Sequence, residues 1–378
     1  MKPPWNPEPR RILLIRLRQI GDVVFTTPLI RALRERFGHA HIAYLVEPAA
    51  APVVARNPHL DEVMVVPRRQ SFREDLRLIG RLRRERFELA IDLHGGPRAS
   101  TLAWLSGAPM RIGYEIVARS WMYTHRVARA RPLRARHSVR NQWDLLAPLD
   151  IASPDPERFP VEMSFDASTS TAVAARLRTA GLSEDDRVIV LHVSAGNPFR
   201  RWPLDHFAAV AAGLVASDDR RVVITSGPSE RDAAQSVIDQ ARAHLPAHSR
   251  DRVLACGELS LPELRALVEG AALYIGGDSG PLHIAATSAV PIVAIFGPTL
   301  EARSLPWRSS RWVAEAVHVD GLPCRPCDQR VCQPGDFRCL TSIPPTQVLE
   351  AAERTLILGL APQDPGTRAP TRGRSIDA

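Results

Sequence analysis

The sequence predicts an α/β chain made of two Rossmann-like domains, each built on a parallel sheet. Three observations lead there. Short apolar runs alternate with segments of helical period, the pattern of βαβ units. The alternation is interrupted by PLDIASPDPERFP (148–160), whose four prolines leave no helical period. It then restarts, and a length of 378 residues suits two domains. The expected division is residues 1–150, a Pro-rich linker at 151–165, and residues 166–360 with a Cys-rich loop at 321–340. APQDPGTRAPTRGRSIDA (361–378), rich in Pro, Gly and charge, reads as a disordered tail.

The elements follow in order. RILLIRL (11–17) reads as the first strand, RQIGD as a loop, and Val23 to Phe37 as a helix. HIAYLVE (41–47) and DEVMVVP (61–67) are strands, LRLIGRLRRERF (76–87) is a helix with its arginines outward, and LAIDLHGG (89–96) is a strand ending in glycines. After the linker come five apolar strands, DRVIVLHVSAG, RRVVITSG, RVLACG, ALYIGG and PIVAIFG, with helices such as PLDHFAAVAAGLVA and SLPELRALVEGA between them.

Composition narrows the function. An apolar share of 45% is ordinary for a globular chain, and no apolar run is long enough to span a membrane. MKPPWNPEPRR lacks the apolar stretch of a secretory signal, so a cytoplasmic protein is expected. Residues 1–150 hold 26 Lys+Arg against 14 Asp+Glu, whereas the remainder holds 23 against 27. Lys2 is the only lysine. So basic a first half points to an anionic partner, either nucleic acid, an anionic membrane surface or a phosphorylated substrate; solvated helix faces are the plainer account. The arginines are not interleaved with aromatics in a recognition motif, which argues against nucleic acid.

Ligands of parallel sheets sit beyond the carboxyl ends of the strands. Here those places read RQIGD, HGG, SAGNPFRRWP, SGPSE, GGDSGPLH and FGPT. In GGDSGPLH, Gly276 and Gly277 let backbone approach a ligand, Ser279 is placed to cap a helix and Pro281 suits its first turn. Free N–H groups there would face an anion such as a phosphate, with His283 one turn in; an ordinary capped connection with a surface histidine is the alternative. G-x-G-x-x-G is absent, so a dehydrogenase-type dinucleotide site is poorly supported.

GGDSGPLHIAATSAVPIVAIFGPT resembles the nucleotide-sugar signature of glycosyltransferase family 9, the ADP-heptose:lipopolysaccharide heptosyltransferases. ILLIRLRQIGDVVFTTPLIRALRERFG is similar to that family's opening strand, loop and helix, HVSAGNPFRRWP to its mid-chain donor loop, and SGPSERDAA to a further segment, all in the family's order. The resemblance implies a GT-B architecture, two Rossmann-like domains facing a central cleft, with acceptor on the N-terminal side and nucleotide sugar on the other. It implies an inverting transferase that moves a heptose or similar sugar from an ADP-sugar to a lipopolysaccharide core or related glycan, at the inner face of the cytoplasmic membrane. The alternatives are the same fold with another nucleotide-sugar donor, or a non-enzymatic basic protein that binds nucleic acid or sugar.

Under that reading Asp22 is the base that takes the acceptor's proton, although Asp in that place also suits a helix N-cap. Gly21 would let the acceptor come close, and Arg68, Arg69 and Arg98 are further acceptor-side candidates, with the arginines from 126 to 140 behind them. On the donor side stand Ser194, Arg200, Arg201, Glu230, Asp278, Ser279, Gly280, His283 and Thr299. Arg200 stands where the family usually carries lysine, which leaves Arg200 and Arg201 as rival phosphate contacts. D-x-D is absent, and no His/Asp/Glu cluster has metal-ligand spacing, so no metal is expected in catalysis.

Cys324, Cys327, Cys332 and Cys339 fall within sixteen residues. A tight four-cysteine cluster in a cytoplasmic chain favours a metal over disulfides, and structural zinc is one reading, but the second pair lacks C-x2-C spacing and zinc is not adopted as a cofactor; a disulfide-capable loop and an arginine-bearing acceptor flap are the alternatives.

Overall fold

The computed structural model describes residues 8–129, 135–183 and 185–360. It contains two six-stranded sheets, all of whose strand pairs are parallel. The first holds β1 (Arg11–Ile15), β2 (His41–Val46), β3 (Glu62–Val65), β4 (Leu89–Asp92), β5 (Met110–Tyr114) and β6 (His125–Val127), in the order β3-β2-β1-β4-β5-β6. The second holds β7 (Arg187–His192), β8 (Arg220–Thr225), β9 (Val253–Ala255), β10 (Leu273–Gly277), β11 (Ile292–Ile295) and β12 (Ala314–Val317), in the order β12-β11-β10-β7-β8-β9. The central strands are buried on both faces, which explains their continuous apolar runs. Strand order reverses between β1 and β4 in one sheet and between β7 and β10 in the other, the crevices where such sheets take ligands.

Three local departures have physical causes. The helix expected from Val23 to Phe37 is two helices, Ile20–Val24 and Thr27–Arg36. Thr26 and Thr27 turn their hydroxyls back onto the Val23 and Val24 carbonyls, at 2.7 and 2.8 Å, and Pro28 has no N–H to continue the first helix. The Pro-rich segment is irregular but packed: Phe159, Val161 and Met163 are buried, and Trp307 Nε1 donates to the Phe159 carbonyl at 2.9 Å. The short strands β5, β6 and β12 and the helices Ala167–Thr179 and Arg231–Ala243 go beyond the elements read from sequence. The supposed tail at 361–378 lies outside the described residues, as do Arg131 and Arg134.

One apolar core runs from the first sheet into the second, from Val23, Val24 and Phe25 to Leu282, Ile284, Phe296 and Trp307. Each fully buried side chain of this size stabilises by about 1.5–3 kcal/mol. His137 sits within that junction, edge-on to Phe25 with ring centroids 5.2 Å apart and 4.8 Å from Trp307. Its Nε2 donates to the Leu305 carbonyl at 2.8 Å while Nδ1 accepts from the Val139 N–H at 3.1 Å, so the ring is held neutral.

Burial lowers the His137 pKa to about 4, and burial does the same to His192, the last residue of β7. The unfolded chain therefore binds protons that the folded chain refuses between pH ~6.5 and ~4, and stability falls as pH drops through that window. Thermal melts at constant ionic strength should show Tm several degrees lower at pH 5 than at pH 7. His137→Asn keeps an acceptor for the Val139 N–H without titrating, and its Tm should depend less steeply on pH.

Candidate functional site

The site is built from the segments that leave β1, β4, β7 and β10. After β1 the chain turns at Gln19, whose φ of 74° is an uncommon conformation for a residue with a Cβ, and enters the helix Ile20–Val24. Asp22 lies in that first turn, yet no side chain caps the helix, which sets the N-cap alternative aside. Its carboxylate pairs with Arg16, which is buried and also donates to the Leu93 carbonyl at 2.7 Å. That pairing fixes the carboxylate's direction and leaves Asp22 36% exposed. Arg16 escaped the sequence reading because it looks like part of the strand run RILLIRL.

After β10 the chain passes Asp278 and Ser279 and enters the helix Gly280–Ala285. Ser279 has the extended backbone of a cap residue, but its hydroxyl makes no capping bond, contrary to the sequence reading, and Ser279 Oγ is buried without a partner. His283 is buried, not a surface group. Its ring lies 4.4 Å from that of Phe25 and its Nε2 is 3.6 Å from Asp278 Oδ1, while Nδ1 has no partner. Asp278 is 2% exposed, and its Oδ2 is 3.1 Å from Arg200 Nη1. Burial raises the Asp278 carboxyl, but His283, Arg200 and Thr299 outweigh it and hold the pKa at about 2. Buried polar atoms are seldom left unsatisfied in a folded protein, so Ser279 Oγ and His283 Nδ1, buried without hydrogen-bond partners beside the Arg200–Asp278 pair, mark a place built to meet something else.

The two helices meet through glycine. A Cβ on Gly21 would stand 2.5 Å from His283 Cδ2, and one on Gly280 would stand 3.1 Å from Ile20 Cβ. The space that the sequence reading left for an acceptor at Gly21 is thus filled by His283.

The remaining donor-side candidates flank this junction. Arg200 Nη1 also donates to the Asp278 carbonyl at 3.1 Å. Arg201 turns the other way, with Nη2 3.0 Å from Glu230 Oε1 and Nε donating to the Ala195 carbonyl at 2.9 Å. Ser194 Oγ accepts from the Gly227 N–H at 2.9 Å and lies 3.0 Å from His192 Nε2, so it ties the ends of β7 and β8 together. Thr299 is buried and its Oγ1 accepts from Gln329 Nε2 at 3.3 Å. A cavity of about 330 Å3 opens beside these loops, lined among others by Val193, Arg201, Trp202, Glu230 and Phe337.

On the first sheet's side, Arg98 is committed to the loop that follows β3: it donates to the Pro67 and Arg68 carbonyls at 2.7 and 3.1 Å and to Gln70 Oε1 at 2.7 Å. Arg68 and Arg69 are exposed. Buried Asp92 shapes the turn after β4, accepting from the His94 and Gly95 N–H groups at 2.9 and 2.8 Å and from Tyr123 Oη at 2.5 Å. His94 is lowered to about 4, by burial first and then by the fields of Arg16, Arg18 and Arg129. Those three arginines, scattered by the sequence over more than a hundred positions, all act on His94, as does the carboxylate of Asp22.

Cys324, Cys327, Cys332 and Cys339 are free thiols, and among the described residues no group of three or more His, Cys, Asp or Glu is arranged to hold a metal ion. The thiols are near neighbours nonetheless: burial first, then the other three sulfurs, push Cys339 up to about 11. Their segment is strapped onto the second sheet by Arg325, which donates to the Gly297 and Thr299 carbonyls at 2.8 and 3.0 Å and pairs with Glu301 at 2.9 Å.

The profile of glycosyltransferase family 9 (heptosyltransferase) matches residues 76–336. The chain belongs to that family and is a glycosyltransferase. It is 27% identical over 351 residues to lipopolysaccharide heptosyltransferase 3 of Escherichia coli, covering 90% of this chain and 97% of that one. A family 9 glycosyltransferase from Veillonella parvula has a crystal structure that superposes with a TM-score of 0.80 at 25% identity, over 92% of this chain and 97% of the other. The structure of E. coli ADP-heptose lps heptosyltransferase II follows the same fold, with a TM-score of 0.73 at 21% identity over 92% of this chain and 98% of that one. The GT-B architecture expected from the resemblance is therefore the architecture found.

The glycine contact is open to a direct test. Gly21→Ala drives a methyl into the His283 ring and should cost about 1–3 kcal/mol, read as a lower urea midpoint. Gly38→Ala, whose Cβ would meet nothing within 4 Å, should leave the midpoint unchanged or slightly raised.

Proposed function

We propose that this glycosyltransferase moves a heptose, or a similar sugar, from an ADP-sugar onto a lipopolysaccharide core or related glycan, with inversion at the anomeric carbon. The observation that carries the reading is the junction itself: the helix that bears Asp22, an oriented, solvent-facing carboxylate, packs on the helix that bears His283, where Ser279 Oγ and His283 Nδ1 are buried with unspent hydrogen-bonding capacity beside the Arg200–Asp278 pair. The names of the relatives supply the substrate class.

Asp22 takes the proton from the acceptor hydroxyl as that oxygen attacks the anomeric carbon from the face opposite the diphosphate. The bond from that carbon to the phosphate oxygen breaks, and the electron pair leaves on the ADP. Arg16 keeps the carboxylate aimed. Arg200 and the N–H groups that open the helix at Gly280 meet the charge developing on the diphosphate. The nucleoside lies toward the cavity beside Arg201 and Glu230. No step requires a metal ion. The acceptor's anionic groups face Arg18, Arg129, Arg68 and Arg69.

The acceptor is a glycolipid, and the chain meets it at the inner face of the cytoplasmic membrane. Among the described residues no helix is long and apolar enough to cross a membrane. Contact comes instead through the start of the helix Phe72–Arg84, where Phe72 and Leu76, one turn apart, are 76% and 51% exposed. Arg68, Arg69, Arg73 and Arg77 flank them, a combination of apolar and cationic groups that suits an anionic bilayer surface.

Asp22→Asn should lower kcat by about 10²–10⁴-fold while calorimetry finds ADP affinity nearly unchanged; a large loss of ADP binding would make Asp22 structural. Among ADP, UDP and GDP, ADP should bind tightest and chelation should not matter, whereas preference for UDP or GDP would overturn the donor. Phe72→Ser with Leu76→Ser should cut sedimentation with vesicles containing anionic lipid, and leave turnover on a soluble, delipidated acceptor intact. Equal sedimentation of variant and parent would remove this helix from the membrane contact.

A further inference from the structure

Gln329 lies in the middle of the cysteine segment and is not among the site residues that the sequence singled out. Its φ of 59° places a non-glycine residue in the left-handed region, a conformation that persists where surrounding contacts enforce it. Its side-chain amide makes three hydrogen bonds. Oε1 accepts from Arg200 Nε and from Asn197 Nδ2, both at 2.8 Å, and Nε2 donates to Thr299 Oγ1 at 3.3 Å. These partners allow only one orientation of the amide, since two N–H donors must face its oxygen.

The guanidinium of Arg200 is planar, so holding two of its nitrogens fixes the third. Gln329 holds Nε. Asp278 holds Nη1, through its carbonyl and its carboxylate. Nη2 is left without a protein partner among the described residues, in a direction that the protein has already set. Electrostatic stabilisation of a leaving group depends on donors that need no reorganisation when charge develops.

We propose that Gln329 is a positioning residue of the donor site, which aims Arg200 at the diphosphate, and that the four-cysteine segment serves as the strap that carries it there. This rests on the reading that Arg200 meets the donor diphosphate. The strap is anchored independently of Arg200, by Arg325 on the Gly297 and Thr299 carbonyls, so Gln329 approaches from a fixed base.

Calorimetric titration of the whole chain with ADP and with adenosine tests the two readings separately. Arg200→Ala should weaken ADP by about tenfold, the loss of one charge-assisted contact. Gln329→Ala should also weaken ADP by about tenfold and leave adenosine unchanged, and the double variant should bind ADP no worse than about threefold below Arg200→Ala, because both changes remove one unit. Gln329→Glu keeps both accepted bonds but sets a negative charge against Arg200, and should weaken ADP more than Gln329→Ala does. If Arg200→Ala binds ADP as the parent does, the donor assignment fails and this inference with it. If Arg200→Ala weakens ADP but Gln329→Ala does not, or the two losses multiply in full, or adenosine affinity falls equally, Arg200 stays a donor contact and Gln329 is not what aims it.

Discussion

The contact between two short helices, one from each sheet, is the constraint on which the site depends. Gly21 and Gly280 remove the Cβ atoms that would hold Ile20–Val24 and Gly280–Ala285 apart. The helices close on each other through His283 and Ile20, and the apolar core of the first sheet continues into that of the second. A Cβ on Gly21 would meet the His283 ring at 2.5 Å and force it or the helix to shift, and one on Gly280 would press on Ile20 at 3.1 Å. A near-attack geometry tolerates little displacement, and about 1 Å matters to rate. On the proposed reading acceptor and donor come from opposite sides of the cleft, so the place where the backbones touch also sets Asp22 against the donor side.

Around that contact the protein separates charge that is oriented from charge that is spent. Arg16 and Asp22 pair at the edge of solvent, where the carboxylate keeps an open side. Arg200 and Asp278 pair in the interior, with the carboxylate 2% exposed. A buried pair of this kind is weak evidence for stability, because desolvation offsets the attraction. Its value lies in fixing a guanidinium. Ser194 and Glu230, by contrast, are occupied in holding neighbouring loops: Ser194 bonds the Gly227 N–H and Glu230 pairs with Arg201. Arg98 is likewise bound to the loop after β3. A residue type that suits a ligand is thus equally suited to building the wall beside it.

Much of the fold was legible because parallel strands buried on both faces leave continuous apolar runs, as RILLI and VIVLH do. The rule that ligands lie beyond strand ends pointed to the segments after β1, β7 and β10, which hold Asp22, Arg200 and Asp278. What escaped had no local signal. β6 and β12 are short edge strands, only partly buried. The break at Thr26 and Thr27 depends on hydroxyls turning back onto carbonyls, a choice that packing makes rather than propensity. Arg18 and Arg129 come together only through the order of strands in the sheet, and Ser279 fits the pattern of a cap without forming the bond.

Arg200 stands where lysine is usual in the family, and the structure gives that departure a physical reason. An ammonium on a flexible stem is a point charge, and can satisfy a phosphate without any particular orientation. A guanidinium is directional and of use only if its plane is held. Here the plane is gripped at Nη1 by Asp278 and at Nε by Gln329. A lysine would reach one of these sites at most and would leave the amide oxygen of Gln329 short of a donor. Arginine at 200 and glutamine at 329 are therefore two halves of one device, separated by more than a hundred residues and joined by the strap of the cysteine segment. Changing Arg200 to lysine, a conservative exchange by charge, is not conservative in this setting, because it keeps the cation and discards the geometry.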